Sequence, residues 1–187
     1  GAGDDAVPLA RLAKEVGWHV TVVDSRSGFA TIERFPWADA VVIVRPEEAA
    51  KRVPLDHRTA VVVMTHNYAH DLELLNTLLA SPVRYLGILG AKGRTLALLG
   101  ELKESGREHD FAKVYSPVGM DIGAETPEEI ALAILAEIKA VSTGRPAGFL
   151  RDRGGPIHDR LDPGNASVDP VGDGGGIPPK GTRDRSH

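Results

Sequence analysis

The chain contains 187 residues, of which 42% are apolar and 26% charged, and this length and composition predict one globular domain with a further segment. Its net charge of −4 includes no basic block, and no apolar run reaches the roughly 20 residues of a membrane span, so we expect neither nucleic acid nor membrane as a partner. With no cysteine and no secretory leader pattern, the sequence predicts a cytoplasmic protein whose chemistry does not use thiolates, disulfides or Cys-bound metals.

The first six residues, Gly-Ala-Gly-Asp-Asp-Ala, fit the pattern G-x-G-x-x-G/A and lead into a helical apolar spacing over residues 7–16. In a dinucleotide-binding fold this turn follows a buried strand, so we expect the chain to be a fragment whose first strand is missing. Gly1 and Gly3 would let a pyrophosphate approach the helix N-terminus, although Asp4 and Asp5 would compete for the same amides. The alternative is a turn that needs glycine for packing alone.

Four short apolar runs alternate with helical patterns through residues 1–143. The runs cover residues 19–24, 40–44, 59–64 and 83–89, and further helical patterns cover residues 68–79, 94–102 and 126–141. Continuous apolar runs are typical of parallel strands covered on both faces, which predicts a doubly wound, Rossmann-like α/β fold. Because the first strand is central in this fold, its loss predicts a gap between the strands that end at Asp24 and Met64, and poor stability.

Asp24 ends the first of these runs, about twenty residues after the glycines, where the dinucleotide fingerprint has a ribose-binding acid. Arg26 would either hold a ribose 2′-phosphate or pair with Asp24 at the surface. The sequence therefore leaves NAD and NADP open as ligands.

Thr65 and His66 follow the third run, at the carboxyl end of its predicted strand, where ligands collect in doubly wound sheets. We expect His66 to contact a ligand and Asp71 to cap or brace the next helix. His70 lies four residues after His66, but without an H-E-x-x-H glutamate or a cysteine the spacing does not favour a metal site.

The turn after the fourth run carries Gly90, Lys92 and Arg94 at the start of a helical pattern. Glycine backbone with two cations at a helix start favours anion binding, and the alternative is a solvated basic turn.

A loop over residues 116–125 contains Gly119 and Asp121 and leads into Thr126-Pro-Glu-Glu, which predicts a capping box. We expect this loop to line a pocket, and tight turns are the alternative reason for its glycines. The four loops near residues 1–6, 65–71, 90–94 and 117–126 should all lie on one rim of the sheet. We assign no catalytic residue.

Residues 144–187 hold 10 of the 21 glycines and 6 of the 13 prolines. Their lack of aliphatic periodicity predicts a disordered tail that begins after residue 143.

Several segments together resemble the C-terminal Rossmann domain of the XdhC/CoxI family, the accessory factors of xanthine dehydrogenase. They are Gly-Ala-Gly-Asp-Asp-Ala, Val-Val-Asp-Ser-Arg, Met-Thr-His, Tyr-Leu-Gly-Ile-Leu-Gly with the following Arg94, and Pro-Val-Gly-Met-Asp-Ile-Gly-Ala-Glu-Thr-Pro-Glu-Glu-Ile. The likeness covers about residues 1–143. Ala91-Lys92-Gly93-Arg94 is less arginine-rich than is usual for the family.

The resemblance implies a factor that binds molybdenum cofactor (molybdopterin), protects it while a separate cysteine desulfurase supplies the terminal sulfur, and helps to insert it into an apo-molybdenum hydroxylase. On this resemblance we expect a chaperone of the cofactor rather than a catalyst. The resemblance leaves a homodimer open. The glycines and Asp24 also leave open an NAD(P)-dependent oxidoreductase or a nucleotide-sensing Rossmann module, although no acid and base for hydride transfer stand out.

Overall fold

The computed structural model describes residues 1–106 and 109–157. One compact unit comprises Gly1–Ala147, and a second begins at Gly148, with a 3-10 helix at Leu150–Asp152. The domain boundary at residue 143 therefore stays a prediction. The prediction of disorder beyond residue 157 lies outside the described residues.

Strands and helices alternate along the first unit, as predicted for an α/β fold. The strands are β1 (Thr21–Asp24), β2 (Ala40–Ile43), β3 (Ala60–Val63), β4 (Tyr85–Ile88) and β5 (Val114–Tyr115). The α-helices are α1 (Ala6–Glu15), α2 (Ala49–Arg52), α3 (Tyr68–Leu78), α4 (Lys92–Glu104) and α5 (Pro127–Thr143), with 3-10 helices at Pro46–Glu48 and Phe111–Lys113. Strand β5 and helix α2 were not predicted, because two and four residues are too short to show a period.

All strand pairs are parallel, and within the described residues they form two separate sheets. Strand β1 pairs with β2, Thr21 lying opposite Ala40, and β4 pairs with both β3 and β5. The predicted gap between β1 and β3 is present, and a cavity of about 1550 Å³ is lined by residues of both strands. The parallel strands and the helices between them confirm the Rossmann-like fold class.

Side-chain packing connects the two sheets where strand pairing does not. One buried cluster joins Ala2, Ala6 and Ala10 to Val22 at β1 and to Met64 just after β3. A second cluster packs α3 and α4 on β3 and β4, through side chains that include Leu75, Leu86, Ile88 and Leu98. Helix α1 therefore bridges the two sheets at the end of the molecule where β1 and β3 finish.

Helix α5 begins with the predicted capping box. The Thr126 hydroxyl accepts the N–H of Glu129, and the Glu129 carboxylate accepts the N–H of Thr126 at 3.0 Å. Gly144 follows the last helical residue as the C-cap. Its φ of 63° is a left-handed conformation that glycine adopts without strain. Among the helices of the described residues, none has both the length and the apolar character of a membrane crossing.

Candidate functional site

The carboxyl ends of the first three strands surround a small cavity of about 100 Å³. Its lining includes Gly1, Asp24, Arg26, Thr65 and His70. Two of the four predicted loops, at residues 1–6 and 65–71, therefore line this cavity, together with residues that follow β1 and β2. The fold brings them together because parallel strands finish at the same edge of their sheet.

The two glycines of the first loop have different physical roles. A Cβ on Gly1 would lie 2.2 Å from the carbonyl oxygen of Met64, so Gly1 lets the loop pack directly on the end of β3. A Cβ on Gly3 would meet no atom within 4 Å. The space above Gly3 is therefore open to a ligand, as a phosphate-binding glycine requires.

Asp5 occupies the N-cap position of helix α1, but neither aspartate side chain of the loop makes a capping hydrogen bond. The Asp4 carboxylate accepts a hydrogen bond of 2.7 Å from Arg34, and Asp5 Oδ2 lies 3.2 Å from Nε2 of His66. No side chain makes a capping hydrogen bond at the start of α1. These carboxylates therefore do not bond to the amides at the start of α1, and their competition with a phosphate stays a prediction.

Asp24 is buried, and its two carboxylate oxygens accept four hydrogen bonds. Oδ2 accepts the N–H of Ala2 at 2.7 Å and Arg26 Nη2 at 2.9 Å, and Oδ1 accepts the backbone N–H and Nε of Arg26 at 2.9 and 3.0 Å. Burial alone would raise the pKa of Asp24, but the hydrogen bonds from Arg26 and Ala2 hold that pKa well below its ordinary value. Of the two alternatives for Arg26, the structure contains the pair with Asp24.

A buried carboxylate links the loops after β3 and β4. Asp71 is 0% exposed and accepts hydrogen bonds from the Thr65 hydroxyl and from Arg94 Nη1. The N-cap of α3 is Asn67, whose side chain accepts the N–H of His70 at 3.1 Å. Asp71 therefore braces the site, and the expected alternative that it caps the helix is wrong.

His66 has a left-handed backbone conformation, which is uncommon for residues other than glycine. Its φ is +57°, in the left-handed region, where a residue other than glycine is strained. The side chain is exposed beside the glycine loop and lies next to Asp5. The prediction that His66 contacts a ligand fits this accessible position.

The basic turn leaves the start of helix α4 open to an anion. Gly90 has a φ of +144°, which favours glycine, and Lys92 is exposed. Helix α4 has no side-chain cap and no acidic residue in its first turn. Arg94 Nη2 is buried and has no hydrogen-bond partner among the described residues. The turn thus presents N–H donors and the charge of Lys92 to an anion, while Asp71 compensates the charge of Arg94.

The fourth loop reaches the same edge but is attached mainly to helix α5. Val118 donates its N–H to the carbonyl of Ile88 at the end of β4, at 3.2 Å. Gly119 donates to Glu137 at 3.0 Å, has a φ of +108° and packs on Ala133. Asp121 is exposed, and no hydrogen bond or ion pair of the described residues joins it to the other predicted site residues.

Two side chains that contact residues of the site, Phe29 and Arg34, were not singled out from the sequence. The guanidinium carbon of Arg26 lies 3.8 Å from the ring centroid of Phe29, and that of Arg34 lies 5.3 Å from the same centroid. Phe29 and Arg34 lie between β1 and β2 in a segment without helical periodicity. An isolated aromatic residue and an isolated arginine there give only a weak indication of a role near the site. The burial of Asp71 had a clearer signal in the sequence, because Asp71 lies four and seven residues before Leu75 and Leu78 and so shares the apolar face of α3 with them.

Comparison with known proteins gives consistent matches. Residues 1–138 match the family model of the XdhC Rossmann domain. The chain is 44% identical over 138 residues to a probable xanthine dehydrogenase subunit from Bacillus subtilis (strain 168), and the match covers 74% of this chain and 40% of the relative. It is 32% identical over 162 residues to the uncharacterized protein YqeB of Escherichia coli (strain K12), covering 86% of this chain and 30% of that protein.

A solved crystal structure is also similar. It is described as a xanthine dehydrogenase from Bacillus halodurans, with a TM-score of 0.69 and 36% identity over 78% of this chain and 41% of that one. The chain therefore spans less than half the length of these relatives.

Proposed function

Because this chain belongs to the XdhC family and carries the Rossmann domain of that family, we propose that it is an accessory factor of a xanthine dehydrogenase-type molybdenum hydroxylase. The names of the Bacillus relatives support an association with xanthine dehydrogenase. In this proposal the chain binds molybdenum cofactor, protects it while a cysteine desulfurase supplies sulfur, and delivers it to the apo-hydroxylase. The chain acts as a chaperone of the cofactor and not as a catalyst.

The observation that carries this proposal is the open, donor-rich edge at Gly3 and the start of helix α4. Gly3 has free space above it, and the first turn of α4 has neither a cap nor an acid. A phosphate-bearing cofactor needs N–H donors and positive charge in such a place. The residues present therefore fit the phosphate end of a pterin cofactor.

Each residue has a defined part in this proposal. Lys92 and the first amides of α4 would hold the phosphate, and His66 would contact the ligand from the adjoining loop. Arg94 would place charge at the turn while Asp71 fixes its orientation through their hydrogen bond. When bound, the cofactor supplies the molybdenum centre that the hydroxylase uses for its oxidation–reduction chemistry.

A nicotinamide dinucleotide is the competing ligand. The four N–H groups on Asp24 occupy the positions that ribose hydroxyls would use, and a carboxylate has about four such positions. This geometry favours the cofactor-chaperone proposal over an NAD-dependent oxidoreductase.

Thermal unfolding with molybdenum cofactor, NAD and NADP added separately at equal excess tests the proposal, since a ligand of the native state raises Tm. We expect the cofactor to raise Tm and Lys92→Ala to reduce that rise. Lys51→Ala, an exposed lysine of α2, is the matched control and should leave the rise unchanged. Stabilisation by NAD or NADP alone, lost in Asp24→Ala, would contradict the proposal in favour of a dehydrogenase or sensor.

A further inference from the structure

Helix α5 carries a carboxylate that joins it to the sheet and to the fourth loop, residues 116–125. Glu137 is half-buried and adjoins Ile138, which packs with Tyr85 of β4 in one buried cluster. Its Oε2 accepts hydrogen bonds from the Tyr85 hydroxyl at 2.5 Å and from the N–H of Gly119 at 3.0 Å. One oxygen atom therefore connects a helix, a strand and a loop.

Tyr85 is placed to act as a donor in this contact. It is 3% exposed, and its ring stacks on that of Tyr115 with 4.5 Å between the ring centroids. Burial and the hydrogen bond to Glu137 raise the pKa of Tyr85 far above its ordinary value. The phenol therefore keeps its proton at neutral pH, and Glu137 is the acceptor.

The fourth loop lies close against β4 on one side and α5 on the other. A Cβ on Gly87 of β4 would lie 2.5 Å from Cγ2 of Val118, and a Cβ on Gly119 would lie 3.3 Å from the Cβ of Ala133. Two glycines thus allow the close approach of the loop to both elements, at the point where Glu137 accepts the N–H of Gly119.

The same loop is bonded to the first turn of helix α4. The hydroxyl oxygens of Ser116 and Thr95 lie 2.6 Å apart, within hydrogen-bond distance. Thr95 is buried and belongs to the helical turn that carries Lys92 and Arg94. A continuous set of contacts therefore runs from Glu137 through the fourth loop to the turn that carries Lys92.

We propose that Glu137 is a positioning residue for the anion site at the start of α4, and that it acts through the fourth loop and the bond between Ser116 and Thr95. The inference rests on the proposed function, which places the phosphate of the cofactor on Lys92 and the first amides of α4. It adds how those amides are held in place before the ligand binds. Because donors that are already ordered cost less to immobilise, loss of the Glu137 hydrogen bonds should weaken cofactor binding.

Two substitutions of Glu137 separate its hydrogen bonds from its charge and size. Both donors bond to Oε2, so the amide oxygen of Glu137→Gln can accept both hydrogen bonds. Glu137→Met keeps a side chain of similar length but has no oxygen acceptor. The matched control is Lys139→Met, which places the same side chain at an exposed position of the same helix.

Amide NMR of the ligand-free chain tests the transmission. Glu137→Met should speed hydrogen exchange at Gly119 at least about tenfold and should shift the amide resonances of residues 92–95. Thr95→Val removes the bond to Ser116, so adding Glu137→Met to Thr95→Val should still affect Gly119 but should leave residues 92–95 as they are in Thr95→Val. Unchanged resonances of residues 92–95 in a folded Glu137→Met protein would overturn the inference.

The Kd of molybdenum cofactor, obtained from thermal unfolding at several cofactor concentrations, is the second readout. We expect Glu137→Met to raise this Kd at least about tenfold, whereas Glu137→Gln and Lys139→Met should stay within about threefold of the unmodified chain. A merely structural role would lower the Tm of Glu137→Met without ligand but leave the Kd of the folded protein unchanged, and that result would overturn the inference.

The two readouts separate this inference from the proposed function. Transmission from Glu137 to residues 92–95 in a chain that binds no molybdenum cofactor would support the inferred coupling and contradict the proposed function alone. Cofactor binding with the same Kd in Glu137→Met and in the unmodified chain would contradict the positioning role of Glu137 alone.

Discussion

The backbone N–H of Ala2 donates a hydrogen bond of 2.7 Å to Oδ2 of Asp24, and this contact fastens the glycine loop to the end of strand β1. The same carboxylate holds Arg26 through both of its oxygens. One buried acid thus fixes the position of the loop and of the nearest cation at the site.

Asp24→Asn should lower the free energy of unfolding by about 2 kcal/mol, because it replaces charge-assisted hydrogen bonds to Ala2 and Arg26 with weaker ones. Urea unfolding followed by circular dichroism measures this loss. Asp56→Asn is the control, since Asp56 makes similar local hydrogen bonds at the surface and should cost less. Equal losses in the two variants would contradict the role of Asp24.

The stability that Asp24 contributes should depend on pH. Its pKa is lowered in the folded state, so its contribution is complete above its ordinary pKa of about 4 and disappears as the pH falls toward the lower folded-state value. The difference in Tm between the unmodified chain and Asp24→Asn should therefore be constant near neutral pH and shrink below about pH 4. A difference that stays the same down to pH 2 would show that charge is not the cause.

Asp71→Asn should cost about 3 kcal/mol, because it removes the charge that compensates the largely buried guanidinium of Arg94. The double variant Asp71→Leu with Arg94→Met should lose less than Asp71→Asn, since neither charge remains buried without a partner. Denaturant unfolding of the three proteins gives the comparison. A larger loss in the double variant would contradict this account of the pair.

Gly1→Ala and Gly3→Ala should separate the packing role of Gly1 from the ligand-binding role of Gly3. A methyl group at Gly1 meets the carbonyl of Met64, so this variant should lose about 1 to 2 kcal/mol of stability. A methyl group at Gly3 enters open space, so stability should change by less than about 0.5 kcal/mol while the rise in Tm induced by molybdenum cofactor falls. Thermal unfolding without and with the cofactor reports the two effects, and an unchanged cofactor-induced rise in Gly3→Ala would argue against a ligand above that glycine.

The separation of the two sheets should limit the stability of the 187-residue chain. The facing edges of β1 and β3 have no strand between them, and backbone groups without partners are costly when buried. We expect a broad, low-temperature unfolding transition, which should sharpen and shift upward when a strand of about five apolar, β-branched residues is added before Gly1. A cooperative, high-melting transition of the unextended chain would contradict this expectation.

The sequence by itself determined the α/β class, four of the strands, the main helices and the capping box at Thr126 and Glu129. These features depend on short-range periodicity and on local hydrogen bonds, which a few neighbouring residues specify. The gap between β1 and β3 was also predictable, because the order of strands in a doubly wound sheet places another strand between these two.

Only the tertiary structure decided which groups the charged side chains contact. Asp24 could have faced a ligand or Arg26, and Asp4 and Asp5 could have capped α1, yet they contact Arg26, Arg34 and His66. Such choices depend on which side chains distant parts of the chain bring within about 3 Å, and sequence spacing does not contain that information. The contacts of Arg26 and Arg34 with the ring of Phe29 are likewise a product of the fold, because they form in the connection that Ala30 and Phe35 anchor in the core.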